Sequence, residues 1–498
     1  MFKENNSTNG EVTSYGESAA GPPLSDNSQK LRIIVALVTI AGILLGLFAT
    51  RMSAGNIIIA VAFAGTLLVM VLGMDLRNGW VILYFAGTIS AIKIQSGIFD
   101  FRPDQLVLIW IGIVWLLALV AGKVHMYKVP LVFPLTGLLV INFVSSILYS
   151  PDKLLSYRSC FLLATYFLMY IITVQILVEK RDLLRRSPFI FVLIGVMMSL
   201  YALLSLAIFN TGIDLRGAYT AAAGVGTITR GGFEEANIMG SFTAVVALML
   251  LAHFIEGSRW NKGILLAAGF SIVSLALLLS FTRGAWIGFA VGAVLLVLVQ
   301  RPPGNIFSPK GLALILVMTG LFAFIAIPLG NYVGGHTGGK ETALSDRLSN
   351  LVDFSQGSGE GRKEIETRAI QAWQRNPLTG NGTYSLPQQE PGTTAQGAWL
   401  YSSIIQSLQD TGIIGTVFLI WIYFEGIMIG INGYRRCNTR FWKATIIGAT
   451  VGWIAMITSS QSSSVFWLSF PWLFLGLLVA WATLGPILEE NPKPAIPR

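Results

Sequence analysis

Charge is what this sequence has least of. Asp, Glu, Lys and Arg make up 12% of its 498 residues while 54% are hydrophobic, against about a quarter charged in soluble domains. An ordinary soluble globule is excluded. Histidine is scarce, with His125, His253 and His336 the whole supply, and there are two cysteines, Cys160 and Cys437. No HExxH, no paired Cys/His spacing and no Walker-type phosphate loop occurs, so the sequence points to no metal and no cofactor. Period-two alternation is missing too, which argues against a β-barrel. Carboxylates inside the apolar stretches are few, with Glu425 the main case. A proton-coupled transporter usually needs such groups, so their scarcity weighs against that class.

What is there is a succession of apolar runs of about 17 to 22 residues, the length that spans a bilayer as helix. Spans are expected near 32–50, 56–74, 80–97, 106–121, 129–149, 161–178, 188–209, 237–255, 263–280, 285–300, 311–329, 413–432, 443–460 and 465–485. Lys93 interrupts the third. The expected fold is therefore all-α: a polytopic membrane helical bundle of about 14 spans (12–14), with one long extracytoplasmic loop carrying a short helix. In domain terms this gives a disordered cytoplasmic tail at 1–30, membrane helices at 31–329, the large outer loop at 330–398, further helices at 399–487 and a second cytoplasmic tail at 488–498. The first tail is rich in Ser, Gly, Asn and Glu and does not read as a cleavable signal peptide.

Basic residues fix the expected orientation. Lys123 and Lys128 follow the fourth span; Lys180, Arg181, Arg185 and Arg186 the sixth; Arg259 and Lys262 the eighth; Arg301 and Lys310 the tenth; Arg435, Arg436, Arg440 and Lys443 the twelfth. Each cluster follows an even-numbered span. The positive-inside rule puts them, and both termini, in the cytoplasm. The net charge of +9 is then an orientation signal and not a nucleic-acid footprint. Cys160 and Cys437 fall on opposite sides, so no disulfide is expected. His125 and His253 fall on the cytoplasmic side.

The same alternation sends another set of arginines outward, against the rule. Arg216 and Arg230 lie between the seventh and eighth spans with Glu234 and Glu235; Arg283 lies in the very short SFTRGAW between the ninth and tenth. Arg347, Arg362, Arg368 and Arg375 lie in the long loop. Snorkelling to the outer headgroups would explain each one. Ligation of an anion at the membrane surface would explain the set, because the planar guanidinium fork suits phosphate oxygens. In the loop, Arg362 to Gln374 has helical spacing, with Ile365, Ala369 and Ala372/Trp373 on one face and Arg368 and Arg375 sharing a side. Asn376 precedes Pro377 and should end the helix. Gly380 and Gly382 then make a tight turn. A solvated helix that caps the bundle is the plainer reading of this stretch. Glu341, Asp346, Asp353, Glu360, Glu364, Glu366 and Glu390 leave the loop near neutral, so it is not a simple electrostatic funnel.

Three segments carry a family resemblance. RGGFEEANIMGSF at 230–242 has Arg, Gly-x-Phe and then Asn at the start of a span. SFTRGAWIGF at 280–289 has Ser-x-x-Arg-Gly-x-x-x-Gly. GRKEIETRAIQAWQRNPLTGNG at 361–382 and SLQDTGIIG at 407–415 resemble an Arg…Trp…Asn-Pro-Leu-x-Gly-x-Gly run and a Glu-Thr-Gly-Leu-Ile-Gly run. In order, spacing and common side, residues 190–430 resemble the O-antigen ligase and O-antigen polymerase (Wzy-type) superfamily of bacterial membrane glycosyltransferases.

The resemblance implies inverting glycosyl transfer at the outer face of the bacterial cytoplasmic membrane, from a polyprenyl-pyrophosphate-linked glycan. The implied catalytic residues are Arg283, Arg230, Arg362, Arg368, Tyr401 and Glu366. Implied substrate-binding residues are Arg216, Arg347, Arg375, Asn237 and Trp399. Implied partners are the lipid-linked glycan, membrane lipid, and flippase and chain-length regulator proteins, with no nucleic acid. One departure stands out. The family often has a His-Asn pair where this chain has Tyr401 and Ser402. Tyrosine, with an ordinary pKa of about 10, is a poor general base at neutral pH. Glu366, Glu364, Asp346 and His336 remain alternatives for that role. The missing histidine tilts the reading toward a polymerase over a ligase that uses a lipid A core acceptor. A transporter or lipid-linked oligosaccharide flippase, and a peptidoglycan polymerase of the shape–elongation–division type, are the competing classes.

Overall fold

In the computed structural model of the protein, the described residues are 71–89, 94–95, 100–208, 218–221, 226–256, 263–300, 358–383, 385–386, 400, 402–463 and 465–490. The chain divides into two compact units, Met1–Leu72 and Gly73–Arg498, and nearly all described residues fall in the second. The expected first and eleventh spans, most of the second, the first tail and the second tail from 491 onward lie outside them; 488–490 belong to the last helix.

The second unit is built from helices. In chain order they are α1 (Leu76–Gly87), α2 (Pro103–Val120), α3 (Val132–Tyr149), α4 (Lys153–Glu179), α5 (Arg181–Ile208), α6 (Ala236–Ile255), α7 (Gly263–Leu279), α8 (Arg283–Val299), α9 (Ser358–Trp373), α10 (Ser403–Arg436), α11 (Arg440–Ser459) and α12 (Ser469–Glu490). Two small antiparallel ladders interrupt them: β1 (Ile94–Gln95) with β2 (Asp100–Phe101), and β3 (Ala218–Ala221) with β4 (Gly226–Thr229), the latter in register Ala218↔Thr229. Among the described residues eight helices are long and apolar enough to cross a membrane, and α7 and α8 are shorter apolar helices. The protein is a multi-pass helical membrane protein.

Burial sorts the helices. α6, α11 and α12 are covered on most of their surface, whereas α2 and α3 are mostly exposed. The first three form the centre of the packing and the last two its rim. The centre is filled by aromatic pairs in tilted and edge-on contact, the arrangement ring quadrupoles favour. Phe242 meets Phe233, Phe191 and Phe470 at ring separations of 5.2, 6.2 and 5.8 Å. Trp453 meets Phe466 at 5.4 Å and Tyr423 at 6.2 Å. Between α8 and α11 the backbones approach so closely that a β-carbon at Gly288 would lie 2.4 Å from the Ala455 carbonyl. Small residues at such crossings are how apolar helices pack where lipid is as greasy as the side chains.

One expected span is corrected. The run 80–97 is not one helix: α1 covers it only as far as Gly87, and Ile94–Gln95 is a strand. The Asp75 carboxylate caps the start by accepting from the Arg77 amide at 3.0 Å. Thr88 closes the end, its hydroxyl donating to the Phe85 carbonyl at 2.7 Å. With the carbonyls taken up there, the helix ends before Lys93. The expected twelfth span at 413–432 corresponds to the part of α10 after Gly412, which runs on to Arg436; a further helical piece from Ser403 precedes it.

The helix connections alternate between two ends. At one end lie the α2–α3, α4–α5 and α10–α11 turns with Lys123, Lys128, Lys180, Arg181, Arg185, Arg435, Arg436, Arg440 and Lys443. Glu489 at the close of α12 accepts from the Asn438 and Thr439 amides there, at 2.7 and 3.0 Å. The opposite end carries the starts of α6, α8 and α10 and the segment around α9.

Candidate active site

At that opposite end, α10 is broken. Gly412 has φ 65° and ψ −163°, so the helix is two pieces joined at a non-helical residue. A break exposes the last carbonyls of the first piece and the first amides of the second. In a membrane such groups must be satisfied by protein. They are satisfied by the loop that follows α9. The Asn381 and Gly382 amides donate to the Gln409 and Asp410 carbonyls at 2.8 and 2.9 Å, and the Ile413 and Ile414 amides donate to the Pro377 and Leu378 carbonyls at 3.0 and 3.2 Å. A β-carbon at Gly380, which has φ 73°, would lie 2.4 Å from the Thr411 nitrogen. Asn381 ties the turn to α9, its Nδ2 donating to the Ala372 carbonyl at 3.0 Å. The Trp373 indole donates to the Pro377 carbonyl at 3.0 Å. α9 itself sits on this assembly through Ile365, Ala369 and Ala372, packed with Leu386, Leu400 and Ile405.

The turn also reaches α3 and α4. The Ser156 hydroxyl donates to the Thr383 carbonyl at 2.6 Å, and the Thr383 amide donates to Ser146 at 3.3 Å. Thr383 also bonds Asn142 through its hydroxyl, and Ser145 bonds the Thr379 carbonyl. Asp410 is fully buried beside this seam. One carboxylate oxygen accepts from Gln406 at 3.3 Å, and the other has no hydrogen-bond partner among the described residues. Gln406 in turn accepts from the Leu400 amide at 3.1 Å. The expectation that Glu425 is the main carboxylate of the spans is thus corrected. Asp410 and Asp104 are buried within α10 and α2, while Glu425 is half-buried and accepts from the Trp421 indole at 2.6 Å. Asp410 escaped the sequence reading because the span was expected to begin only at 413.

Beside the broken helix, the starts of α6, α8 and α10 meet on the serine-rich turn 459–463. Ser241 of α6 bonds Ser459 at 2.5 Å. A β-carbon on Gly284 of α8 would overlap Ser462. The Ser403 amide of α10 donates to the Ser460 carbonyl at 2.9 Å, and the Ser402 hydroxyl donates to Gln461 at 3.0 Å. α6 and α8 are joined directly, since the Thr282 hydroxyl donates to the Ala236 carbonyl at 3.2 Å. Neither Glu235 nor Thr282, their N-cap residues, makes a side-chain cap. Helix starts carry partial positive charge and unshared amides, and so favour anions.

The arginines fall on these starts. Arg283 is the first residue of α8, half-buried. Asn237 is the second residue of α6. Arg230 follows β4 and opens the turn into α6, its carbonyl accepting from the Phe233 amide at 3.0 Å. The Thr282–Ala236 contact brings Asn237 and Arg283 together, and Arg230 opens the turn that leads into the same start of α6. On α9, Arg368 is paired with Glu364 at 2.7 Å, with 37% and 64% of the two side chains exposed. Glu366 is half-buried and Arg375 is exposed. Arg362 lies in α9, but its side chain is outside the described residues, as are Arg216, Arg347, Trp399, Tyr401, His336 and Asp346. The serine turn 459–463 and Arg102, which pairs with Glu234, were not singled out from sequence. A run of SSQSSS has no periodicity to announce a site, and Arg102 lies between Asp100 and Asp104, which read as its local partners.

The fold and this end define a class: a polytopic membrane protein whose inserted loop, broken helix and arginine-bearing helix starts share one end. Residues 268–420 match the O-antigen ligase family model, from within α7 across Arg283, α9 and the inserted turn into the second piece of α10. The match supports the resemblance to the O-antigen ligase/polymerase superfamily read from the sequence, over that part of the chain. Comparison with curated proteins finds no match.

Proposed function

We propose that the protein joins polyprenyl-pyrophosphate-linked oligosaccharide repeat units into O-antigen, capsule or exopolysaccharide, at the outer face of the cytoplasmic membrane with both termini inside. The observation that carries this is the direct joining of the starts of α6 and α8, with Arg283 first in α8 and Arg230 on the turn that leads into α6. A pyrophosphate leaving group gains negative charge as its bond to the anomeric carbon breaks. Fixed cations and helix starts placed beforehand stabilise that charge without reorganising. The acceptor hydroxyl attacks the anomeric carbon from the opposite face, which inverts the centre. Its proton passes to a carboxylate or to the departing pyrophosphate. Asn237 and the Ser402–Gln461 pair line the same end and orient sugar hydroxyls. α9 roofs the site, with Arg368 and Glu366 contributing from it.

The test is incubation of purified protein in liposomes with a polyprenyl-pyrophosphate oligosaccharide, without metal or nucleotide, followed by size separation. A ladder of lengthened lipid-linked glycans supports the polymerase. Transfer only when a lipid A core acceptor is supplied makes it a ligase. Absence of any new glycosidic bond, with the donor moving across the liposome, overturns the reading in favour of a flippase.

A further inference from the structure

Four residues after Arg230, the Glu234 carboxylate is held by Arg102, Nη2 donating to Oε2 at 3.1 Å. Nη1 of the same guanidinium donates to the Tyr166 hydroxyl at 3.2 Å. Arg102 stands immediately before α2, where its amide donates to Gln105 at 3.0 Å and locks the start of that helix. Only 12% of its side chain is exposed, and 32% of that of Glu234. A guanidinium this covered, bound at two nitrogens, is held in place; it is not a snorkelling surface arginine. Asp104, fully buried two residues on, also lies within the electrostatic reach of Arg102.

The turn from Arg230 to Glu235 has a second anchor. Phe233 is fully buried against Phe242 and Phe470, at 5.2 and 5.6 Å. The two anchors grip neighbouring residues, one through apolar packing and the other through charge. Arg230 is at the open end of the same turn. We propose that Arg102 is a positioning residue for Arg230: by clamping Glu234 onto α2 and α4 it fixes the turn from which Arg230 meets the anionic donor. The inference rests on the role given to Arg230 above. It ties residues far outside the family match, on α2 and α4, to the reacting end.

The test uses full-length protein carrying Arg102→Ala, Glu234→Ala, both together, or Arg102→Lys, with two readouts. In the glycan-transfer assay each alanine variant raises KM for the lipid-linked donor by about tenfold, and the double variant is no worse than the poorer single one, as coupled partners require. Arg102→Lys recovers most of the loss. In hydrogen exchange, the amides of 231–235 exchange faster in both single variants while those in the middle of α6 do not change. Additive losses, or a Glu234→Ala variant with normal kinetics beside a defective Arg102→Ala, would overturn the clamp and make Arg102 a direct ligand. Unchanged exchange at 231–235 would overturn it on its own. If the unaltered protein makes no product, the functional reading fails, and the exchange measurement still decides the clamp.

Discussion

The Gly382 amide donates to the Asp410 carbonyl over 2.9 Å, although 27 residues of chain separate the two. This bond belongs inside a helix by its chemistry and between two segments by its connectivity. The turn 376–383 stands in for the turn that α10 lacks.

That substitution leaves no room at the contact. Gly380→Ala puts a methyl 2.4 Å from the Thr411 nitrogen, at a residue whose φ is 73°. Left-handed backbone alone costs a residue with a β-carbon about 1–2 kcal/mol, and the overlap adds to it. The expected result is a clearly lower melting temperature in detergent and loss of product. A variant that melts and works like the original would show that the turn can shift.

Arg283→Ala is expected to reduce product about 100-fold or more, the scale for removing one preorganised charge-stabilising donor. Arg283→Lys should be nearly as poor, because an ammonium lacks the planar fork. Both proteins should be made in normal amounts, since Arg283 stands at a helix start and not in the packed centre. Near-normal product from either would remove Arg283 from the mechanism.

Asp410 serves Gln406 as an acceptor inside the seam. Asp410→Asn keeps an oxygen for that bond and should melt within a few degrees of the original. Asp410→Ala leaves the Gln406 amide unpartnered, at a cost of about 1–3 kcal/mol for a buried polar group. Thermal unfolding of the two variants side by side checks this; equal melting would mean the bond carries no weight.

At the basic end, burial and the neighbouring Glu489 carboxylate push the Cys437 thiol up to about 12. The folded value is raised above the ordinary 9.0, so the thiol's contribution to stability is intact below that pH and is lost as pH climbs toward the folded value. At pH 7 the thiolate is almost absent. Iodoacetamide should leave Cys437 unlabelled in the folded protein and modify it after denaturation. Rapid labelling of the folded protein would contradict this.

Much of the bundle was legible because apolar run length is a direct physical requirement of the bilayer. α2 to α8 and α11 lie close to their expected positions, and the face Ile365–Ala369–Ala372 on α9 is where helical spacing put it. Asn376 and Pro377 ended α9 as their backbone preferences require. The α1 region failed because a hydropathy run does not register caps at Asp75 and Thr88. The break at Gly412 failed for a deeper reason. SLQDTG reads as a polar lead-in to a span, and only the distant turn 376–383 makes it helix. The arginines were visible as charges on the wrong side of an alternation. The joining of the α6 and α8 starts through Thr282 and Ala236, and the clamp on Glu234, depend on contacts between segments that no local pattern encodes.

The filled break also bears on how the protein is made. α10 carries open peptide groups at Gly412, in its first third, until residues 376–383 are in place, and hydrocarbon does not tolerate them. Those residues come earlier in the chain, so they are already made when α10 emerges from the ribosome. The later helix must then thread itself onto a peg that is waiting for it. Insertion of this span is an assembly step as well as a partitioning step, and damage to the turn would strand a helix more than twenty residues downstream.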